Sequence, residues 1–163
     1  MMNKLKLETH LKIFFFICLI SIISAYFIEY KLGHQPCNLC LIERIPYFLG
    51  LGLIVINYIF AKNEKFIILL LILIFTFSLI ISLYHFGIEQ SIFEESAICG
   101  LKGSVEVLSK EELLKQLNKK VISCKDVTFK IFGFSLTTIN IILSLVIIIT
   151  LTNIFKNYEK FKS

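Results

Sequence analysis

The sequence predicts an all-α membrane protein, a single domain over residues 1–163 in which four transmembrane helices form a bundle. Hydrophobic residues make up 56% of the chain and charged residues only 18%, and the mean hydropathy is +0.81. Long uncharged apolar runs separate the charged segments, and a helix of about 20 residues crosses a hydrocarbon core of about 30 Å. A soluble helical protein would need far more polar surface than this chain has.

Four apolar runs mark the expected membrane spans. They cover residues 13–28, 45–61, 66–88 and 131–155. The last two are long enough outright, whereas the first two reach a full span only if residues such as Glu29 and Arg44 lie at the membrane interface. We therefore predict spans at about 12–31, 41–61, 66–86 and 133–155, joined on one side of the membrane by loops at about 32–40 and 87–132.

The distribution of lysines predicts the orientation of the bundle. The N-terminal segment, the connection at 61–65 and the C-terminal segment together carry the whole formal net charge of +5, while the charges of the opposite side cancel. The positive-inside rule then makes both termini cytoplasmic and the two loops external. The first span resembles a signal peptide, but no small-x-small cleavage site follows it, so we expect it to remain as a helix. The excess of basic residues thus indicates the topology of the protein and not nucleic-acid binding.

Four of the five cysteines fall on the external side. Cys37 and Cys40 lie at the mouth of the second span, and Cys99 and Cys124 lie in the long loop. Disulfides persist in oxidising compartments outside the cytoplasm, so both pairs are candidates. Cys18 lies inside the first span among apolar residues, where we expect it to act as a small core side chain.

Cys37 and Cys40 form a C-x-x-C motif directly before a predicted helix. Leu41 stands where a c-type haem site would need histidine. A structural zinc site would need a second such pair or suitable histidines, and His34 and His85 are poorly spaced for it, so we predict no metal site. A redox-active disulfide fits best, because a helix N-terminus stabilises a thiolate. A static disulfide at a helix start is the alternative.

Polar residues near this motif favour a functional site. Arg44 lies one helical turn after Cys40, and an arginine inside a span usually faces the bundle or a cavity. Its cation could stabilise the Cys40 thiolate and bind a carbonyl group, or it could reach the headgroups or pair with Glu43. Pro46 predicts a local kink. His85 ends the third span at the same depth, either as a donor to a carbonyl group or as an ordinary interfacial histidine.

The long external loop contains a predicted amphipathic helix. Ser109 and Glu112 match a capping box that opens a helix reaching about Lys120, with leucines on one face and lysines on the other. Such a helix lies on the membrane surface or against another protein surface. Gly87, Gly100 and Gly103 predict flexible turns on the approach to Cys99 and just after it. We therefore expect the second cysteine pair to lie on a mobile loop.

These features together resemble a known family. The string Pro-Cys-Asn-Leu-Cys-Leu-Ile-Glu-Arg at 36–44, the Tyr84-His85 pair, the later cysteine pair and Phe-Gly-Phe-Ser-Leu at 132–136 are similar to the disulfide bond formation protein B (DsbB) family. The resemblance covers nearly the whole chain. One departure is the absence of tryptophan, with Ile139 at a position where many relatives carry an aromatic residue.

The resemblance implies a quinone-dependent protein-disulfide oxidoreductase of the bacterial inner membrane, with its redox sites on the periplasmic side. All four external cysteines would be catalytic. A reduced thioredoxin-fold oxidase of the DsbA type would attack the Cys99–Cys124 disulfide at Cys99. Cys124 would then attack Cys37, and Cys40 would be left as the thiolate next to the quinone.

The same resemblance implies the ligands and partners. Cys40, Arg44 and His85 would bind the quinone, either ubiquinone or menaquinone. The partners would be the periplasmic oxidase, the quinone and membrane lipid, with no nucleic acid, and the protein would be a monomer. Two alternatives stay open: a related oxidoreductase that serves a dedicated partner, and a non-catalytic membrane scaffold with two structural disulfides. A protein like vitamin K epoxide reductase fits less well, because that family carries its C-x-x-C motif on the last span.

Overall fold

The computed structural model describes residues 2–59, 64–94, 99, 123–125, 130–131 and 133–158. The predicted amphipathic helix at 109–120, the turns at Gly100 and Gly103, and Phe132 lie outside the described residues. The turn predicted at Gly87 is wrong, because the helix that contains this glycine continues to Glu89. The described elements, in chain order, are α1 (Met2–Tyr30), α2 (Asn38–Ile42), α3 (Ile45–Ile59), α4 (Glu64–Glu89), β1 (Lys130–Ile131), β2 (Phe134–Ser135) and α5 (Leu136–Lys156).

Four helical segments are long and apolar enough to cross a membrane. They are Leu7–Tyr30, Asn38–Ile59, Glu64–Glu89 and Leu136–Lys156, and the second of them consists of α2 and α3 together. The described fold is therefore a bundle of four membrane-spanning helices, as the sequence predicts. The one addition is the short β ribbon before α5.

The second span is interrupted near its start. α2 ends at Ile42 and α3 begins at Ile45, and between them the Arg44 amide donates to the Leu41 carbonyl at 3.2 Å. Pro46 lies in the first turn of α3. Amide groups in a first turn have no partner within the helix, so the amide hydrogen that proline lacks costs no hydrogen bond there. The predicted kink is present, and it lies just before Pro46.

A tight ribbon leads into the last span. Lys130 pairs with Ser135 and Ile131 pairs with Phe134 in antiparallel register. Gly133 has a φ of +88°, a conformation that side chains with a Cβ rarely adopt. The Ser135 hydroxyl accepts a hydrogen bond from the Thr138 amide at 3.2 Å and caps α5. α5 thus begins at Leu136 and not at the predicted 133, because β2 occupies the preceding residues.

The core lies where all four spans meet. α3 packs against both α1 and α4, and α4 packs along α5. Phe75 is fully buried, and its ring makes edge contacts with Phe14 and Tyr47 at centroid distances of 5.3 and 5.4 Å. Cys18 is buried in the same cluster, as expected from its apolar neighbours. The main buried cluster consists of Phe14, Cys18, Ile22, Tyr47, Ile54, Ile67, Leu71, Phe75, Ile147 and Leu151.

The outward faces of the spans are apolar as well. Only 22% to 33% of the most apolar stretch of each span is buried inside the protein, so most of these side chains point away from the bundle. In water such a surface would aggregate, whereas in a bilayer it contacts lipid tails. Large exposed side chains of this kind include Phe16, Ile20, Phe27, Phe66, Leu73, Phe77, Ile80, Ile142, Val146 and Ile149.

The two ends of the bundle differ in composition. At one end, Leu7, Ile68, Ile154 and Tyr158 form a small apolar cluster, so the first turns of α1 and the last turn of α5 meet there. At the other end, the buried cluster contains three of the four external cysteines. The end of the bundle that contains these cysteines is therefore opposite the end at which α1 begins and α5 finishes.

We expect the Phe75→Ala variant to lose on the order of 2 kcal/mol of unfolding free energy, because the deletion leaves a cavity that lipid cannot fill. Reversible unfolding in mixed micelles with increasing SDS measures this loss. Phe77→Ala is the matched control on the same helix, since the Phe77 side chain is 61% exposed and that of Phe75 is fully buried. Equal losses in the two variants would contradict the packing described here.

Candidate active site

Cys37 caps the first helix of the second span. Its backbone is extended, with φ −72° and ψ 168°, and its sulfur accepts the Cys40 amide hydrogen at 3.3 Å. The Sγ atoms of Cys37 and Cys40 lie 2.8 Å apart. A disulfide bond is about 2.05 Å long, so the two sulfurs can bond after a movement of less than about 1 Å. The C-x-x-C spacing thus places the two thiols side by side.

The surroundings of Cys37 favour its thiolate. The hydrogen bond from the Cys40 thiol, helped by the His85 imidazole, lowers the pKa of Cys37 to about 4, against the effect of burial, which raises it. The His85 Nε2 atom lies 3.5 Å from the Cys37 sulfur. In this reduced pair the contacts therefore favour the thiolate form at Cys37.

His85 is held by a carboxylate. Its Nδ1 atom lies 2.9 Å from the Oε1 atom of Glu43, and the side chains of both residues are largely buried. When Nδ1 donates its hydrogen to Glu43, Nε2 is aimed at Cys37 with the ring orientation fixed. Of the two sequence interpretations of His85, the ordinary interfacial histidine is wrong, because its side chain is only 2% exposed.

Glu43 is also held from the last span. The Asn140 Nδ2 group donates to the Glu43 Oε2 atom at 3.1 Å and to the Ser82 hydroxyl at 2.7 Å, and the Tyr47 hydroxyl donates to the Asn140 carbonyl oxygen. Buried polar atoms in a membrane protein need such partners, because neither water nor lipid supplies them. The network therefore joins α4 and α5 to the junction between α2 and α3.

Arg44 faces away from Glu43 and binds the first span. Its Nη1 atom donates to the Glu29 Oε2 atom at 2.6 Å, and its guanidinium carbon lies 5.2 Å from the centroid of the Tyr26 ring. The suggested pair of Arg44 with Glu43 is therefore wrong, since Glu43 bonds His85 instead. Both members of the Arg44–Glu29 pair are mostly shielded, with 14% and 20% of their side chains exposed.

A second carboxylate lies beyond His85. The Thr137 hydroxyl donates to the Glu89 Oε1 atom and lies 3.3 Å from the His85 Nδ1 atom. The Ser135 hydroxyl donates to the Glu89 Oε2 atom at 2.7 Å. Glu89 is partly exposed at the end of α4. A hydrogen-bonded path thus runs from His85 through Thr137 to a carboxylate near the surface.

The second cysteine pair lies against the first. Cys99 and Cys124 form a disulfide with a Cα–Cα distance of 5.5 Å, and both are buried in one cluster with Cys37 and Ile88. The loop that the sequence analysis predicts to be mobile lies mostly outside the described residues. The two cysteines themselves are buried, with Cys99 0% exposed and Cys124 3% exposed.

A cavity of about 330 Å³ opens beside these groups. Its walls are mainly apolar side chains of α1 and α5, such as Ile20, Ile28 and Leu143. Its polar lining consists chiefly of Cys37, Cys40, Glu43, Arg44, His85, Glu89, Thr137 and Asn140. Apolar walls with a few convergent polar groups are typical of a site for a small organic ligand.

The structure also brings three potential metal ligands together. The sulfurs of Cys37 and Cys40 and a ring nitrogen of His85 lie within 4.8 Å of one another. The sequence analysis dismissed His85 as a zinc ligand because of its spacing along the chain. That reason does not hold, since the fold places His85, which is 48 residues away from Cys37 in sequence, beside the motif.

Sequence reasoning missed several polar members of the site. Glu43 was considered only as a partner of Arg44, and Glu89, Thr137 and Asn140 were not considered at all. The signal for Asn140 is a polar residue inside an apolar span, which usually faces the bundle interior. No sequence signal shows which carboxylate pairs with His85, because that depends on the break between α2 and α3.

The hydrogen bond from Cys40 predicts how Cys37 titrates. In a background with Ala at positions 99 and 124, Cys40→Ala should raise the pKa of Cys37 toward that of an ordinary thiol, because the largest stabilising contact is lost. Cys40→Ser, which keeps a donor, should raise it less. The pH dependence of Cys37 alkylation rates measures both values. The same apparent pKa in both variants would show that Cys40 does not stabilise the thiolate.

Comparison with known proteins identifies the family of the chain. The model of the family "Disulfide bond formation protein DsbB" matches residues 8–154. The chain is also 30% identical over 137 residues to "Uncharacterized protein RP370" of Rickettsia prowazekii (strain Madrid E), an alignment that covers 83% of this chain and 80% of that protein. The match spans all four membrane helices and both of the described cysteine sites. The chain therefore belongs to the DsbB family, whose members are membrane oxidoreductases that generate disulfide bonds.

Proposed function

We propose that this protein reoxidises a periplasmic thioredoxin-fold oxidase of the DsbA type and passes the electrons to a membrane quinone. The observation that carries the proposal is the contact between the two cysteine pairs. The Cys99–Cys124 disulfide is buried in one cluster with Cys37, and Cys40 lies 2.8 Å from Cys37. Two exchangeable pairs in series are what a thiol relay needs.

The proposed orientation follows from charge. The described lysines Lys12, Lys65 and Lys156 belong to the parts of α1, α4 and α5 nearest the end where α1 begins and α5 ends, and we assign that end to the cytoplasm by the positive-inside rule. The cysteine end is then periplasmic in a bacterial inner membrane. That compartment is oxidising, so disulfides formed there persist.

The chemistry is a sequence of thiol–disulfide exchanges. A thiolate of the partner attacks the Cys99 sulfur, and the Cys99–Cys124 bond breaks to release the Cys124 thiolate. That thiolate attacks Cys37, and the Cys37–Cys40 disulfide breaks to release the Cys40 thiolate. The second partner thiol then completes the disulfide of the partner and frees Cys99, which attacks Cys124. The Cys99–Cys124 disulfide forms again, and two electrons remain on Cys37 and Cys40.

The residues around the cavity fit a quinone. A quinone is a flat apolar ring with two carbonyl oxygens, and the cavity combines apolar walls with polar groups at one place. Cys40, Arg44 and His85 would hold it, and when bound it accepts two electrons and two protons. Arg44 supplies a fixed cation that is a strong donor to a carbonyl oxygen. No phenylalanine lines the cavity among the described residues; isoleucine and leucine side chains such as Ile20, Ile28 and Leu143 form its apolar walls beside Ile139.

The reaction also needs protons at the site. Reduction of a quinone to a quinol takes up two protons. The Cys40 thiol, which donates to the Cys37 sulfur, holds one of them when the pair is reduced. The Thr137 hydroxyl lies 3.3 Å from His85 Nδ1 and donates to Glu89, so a partly exposed carboxylate lies near the site and could take part in supplying the other.

The main test is quinone reduction by the purified protein with a reduced DsbA-type partner. Cys40→Ser should reduce turnover to the background rate, because no Cys37–Cys40 disulfide can form. Cys18→Ala is the control, since it removes a buried thiol away from the site and should leave turnover unchanged. Turnover that survives Cys40→Ser would exclude the mechanism. A scaffold with structural disulfides would give no quinone reduction with any variant, the wild type included.

Arg44 is expected to act on quinone binding. Arg44→Met should raise the KM for quinone about 10-fold or more, which corresponds to about 1.4 kcal/mol, while the KM for the partner stays unchanged. Glu29→Gln is the matched variant, because it removes the bonded partner of Arg44 at 2.6 Å and keeps the cation. It should raise the quinone KM less. Equal effects of Arg44→Met on both KM values would assign Arg44 a role in folding instead.

A further inference from the structure

We propose that the reduced Cys37–Cys40 pair and His85 form a binding site for a zinc ion, which holds the pair reduced and blocks electron transfer. The ligand atoms are two sulfurs and one imidazole nitrogen, all within 4.8 Å of one another. This is the ligand set that zinc prefers, with an open fourth position toward the cavity. The consequence for electron transfer rests on the function proposed above, whereas the binding itself does not.

The distances fit a tetrahedral ion. Zn–S bonds of about 2.3 Å and Zn–N bonds of about 2.05 Å place a sulfur and a nitrogen ligand about 3.6 Å apart. The Cys37 sulfur and the His85 Nε2 atom are already 3.5 Å apart. Two sulfur ligands need a separation of about 3.8 Å, so the Cys40 sulfur must move about 1 Å outward from its 2.8 Å contact. The cavity that Cys40 lines provides the space for this movement.

The residues that hydrogen-bond the histidine ligand are also typical of a zinc site. A zinc-binding histidine almost always donates its other ring hydrogen to a carboxylate or carbonyl, which fixes the ring and increases its basicity. His85 has this partner in Glu43, at 2.9 Å from Nδ1. Asn140 in turn holds the far oxygen of Glu43 at 3.1 Å. The imidazole is therefore oriented before any ion arrives.

The local charge favours a cation. Arg44 lines the same cavity but is bonded to Glu29 at 2.6 Å, so its charge is largely compensated. The Glu43 carboxylate bonds the far side of the His85 ring at 2.9 Å, so a negative group lies behind one of the three ligands. Binding requires that Cys40 lose its proton and that His85 carry no proton on Nε2, so the ion replaces protons at these two atoms.

Zinc binding and disulfide formation exclude each other, because both use the same two thiolates. The ion must therefore leave before the Cys37–Cys40 bond can form and the two electrons can pass to the quinone. Zinc therefore binds only the two-electron-reduced pair. The site would make electron transfer sensitive to free zinc on the side of the membrane that holds the cysteines.

The experiment uses the full-length protein with Cys99→Ala and Cys124→Ala, reduced with a phosphine, so that the second pair contributes no thiols. Zinc affinity is measured by competition with a chromogenic chelator, and Co²⁺ serves as a spectroscopic probe through its thiolate charge-transfer band. We expect one ion per protein and none after oxidation of the pair. His85→Ala should weaken binding at least about 100-fold, and Glu43→Gln about 10- to 100-fold.

Cys18→Ala is the control variant and should bind zinc with unchanged affinity. Binding that is unaffected by both His85→Ala and Glu43→Gln would reduce the site to an ordinary two-thiol chelate and overturn the proposal, as would the absence of binding to the reduced protein. Quinone reduction with a small dithiol, measured in the same background, separates the two proposals. Zinc binding without any quinone reduction would contradict the proposed function alone, and quinone reduction that zinc leaves unchanged would contradict inhibition alone.

Discussion

The contact between Glu43 and His85 connects the fold to the site. A carboxylate among membrane helices is costly unless protein groups bond it, because lipid offers no hydrogen bonds. Here the two Glu43 oxygens bond His85 from α4 and Asn140 from α5. The next residue, Arg44, bonds Glu29 from α1. Two neighbouring residues thus join all four spans, and an altered helix packing would leave at least one of these groups without its partner.

The break between α2 and α3 makes this possible. In a continuous helix, the side chains of consecutive residues point about 100° apart around one axis. The directions of Glu43 and Arg44 would then be fixed relative to each other. The interruption at Glu43 and Arg44 allows one to turn toward α4 and α5 and the other toward α1. It also sets the depth of Cys37, which caps α2. The same local irregularity therefore positions the thiol, the histidine that faces it and the cation beside the cavity.

The sequence predicts the four spans and the cysteine layout, because apolar length and motif spacing are local properties of the chain. The kink at Pro46 and the core position of Cys18 follow for the same reason. Partner choice between distant residues does not follow: Glu43 pairs with His85 and not with Arg44, and Glu29 takes Arg44 instead. These choices depend on helix rotation and on the break before Ile45. Ser135 caps α5, so the helix starts at Leu136. The β ribbon determines this start, and hydropathy cannot show it.

Burial of the second pair changes how the relay must operate. A thiolate at Cys37 with a pKa of about 4 is ionised at any physiological pH and would react with small oxidants if solvent reached it. Cys37, Cys99 and Cys124 instead share one buried cluster with Ile88 and Leu39, so the exchange between the pairs occurs away from water. The relay that we propose also requires a partner thiol to reach Cys99, whose side chain is 0% exposed.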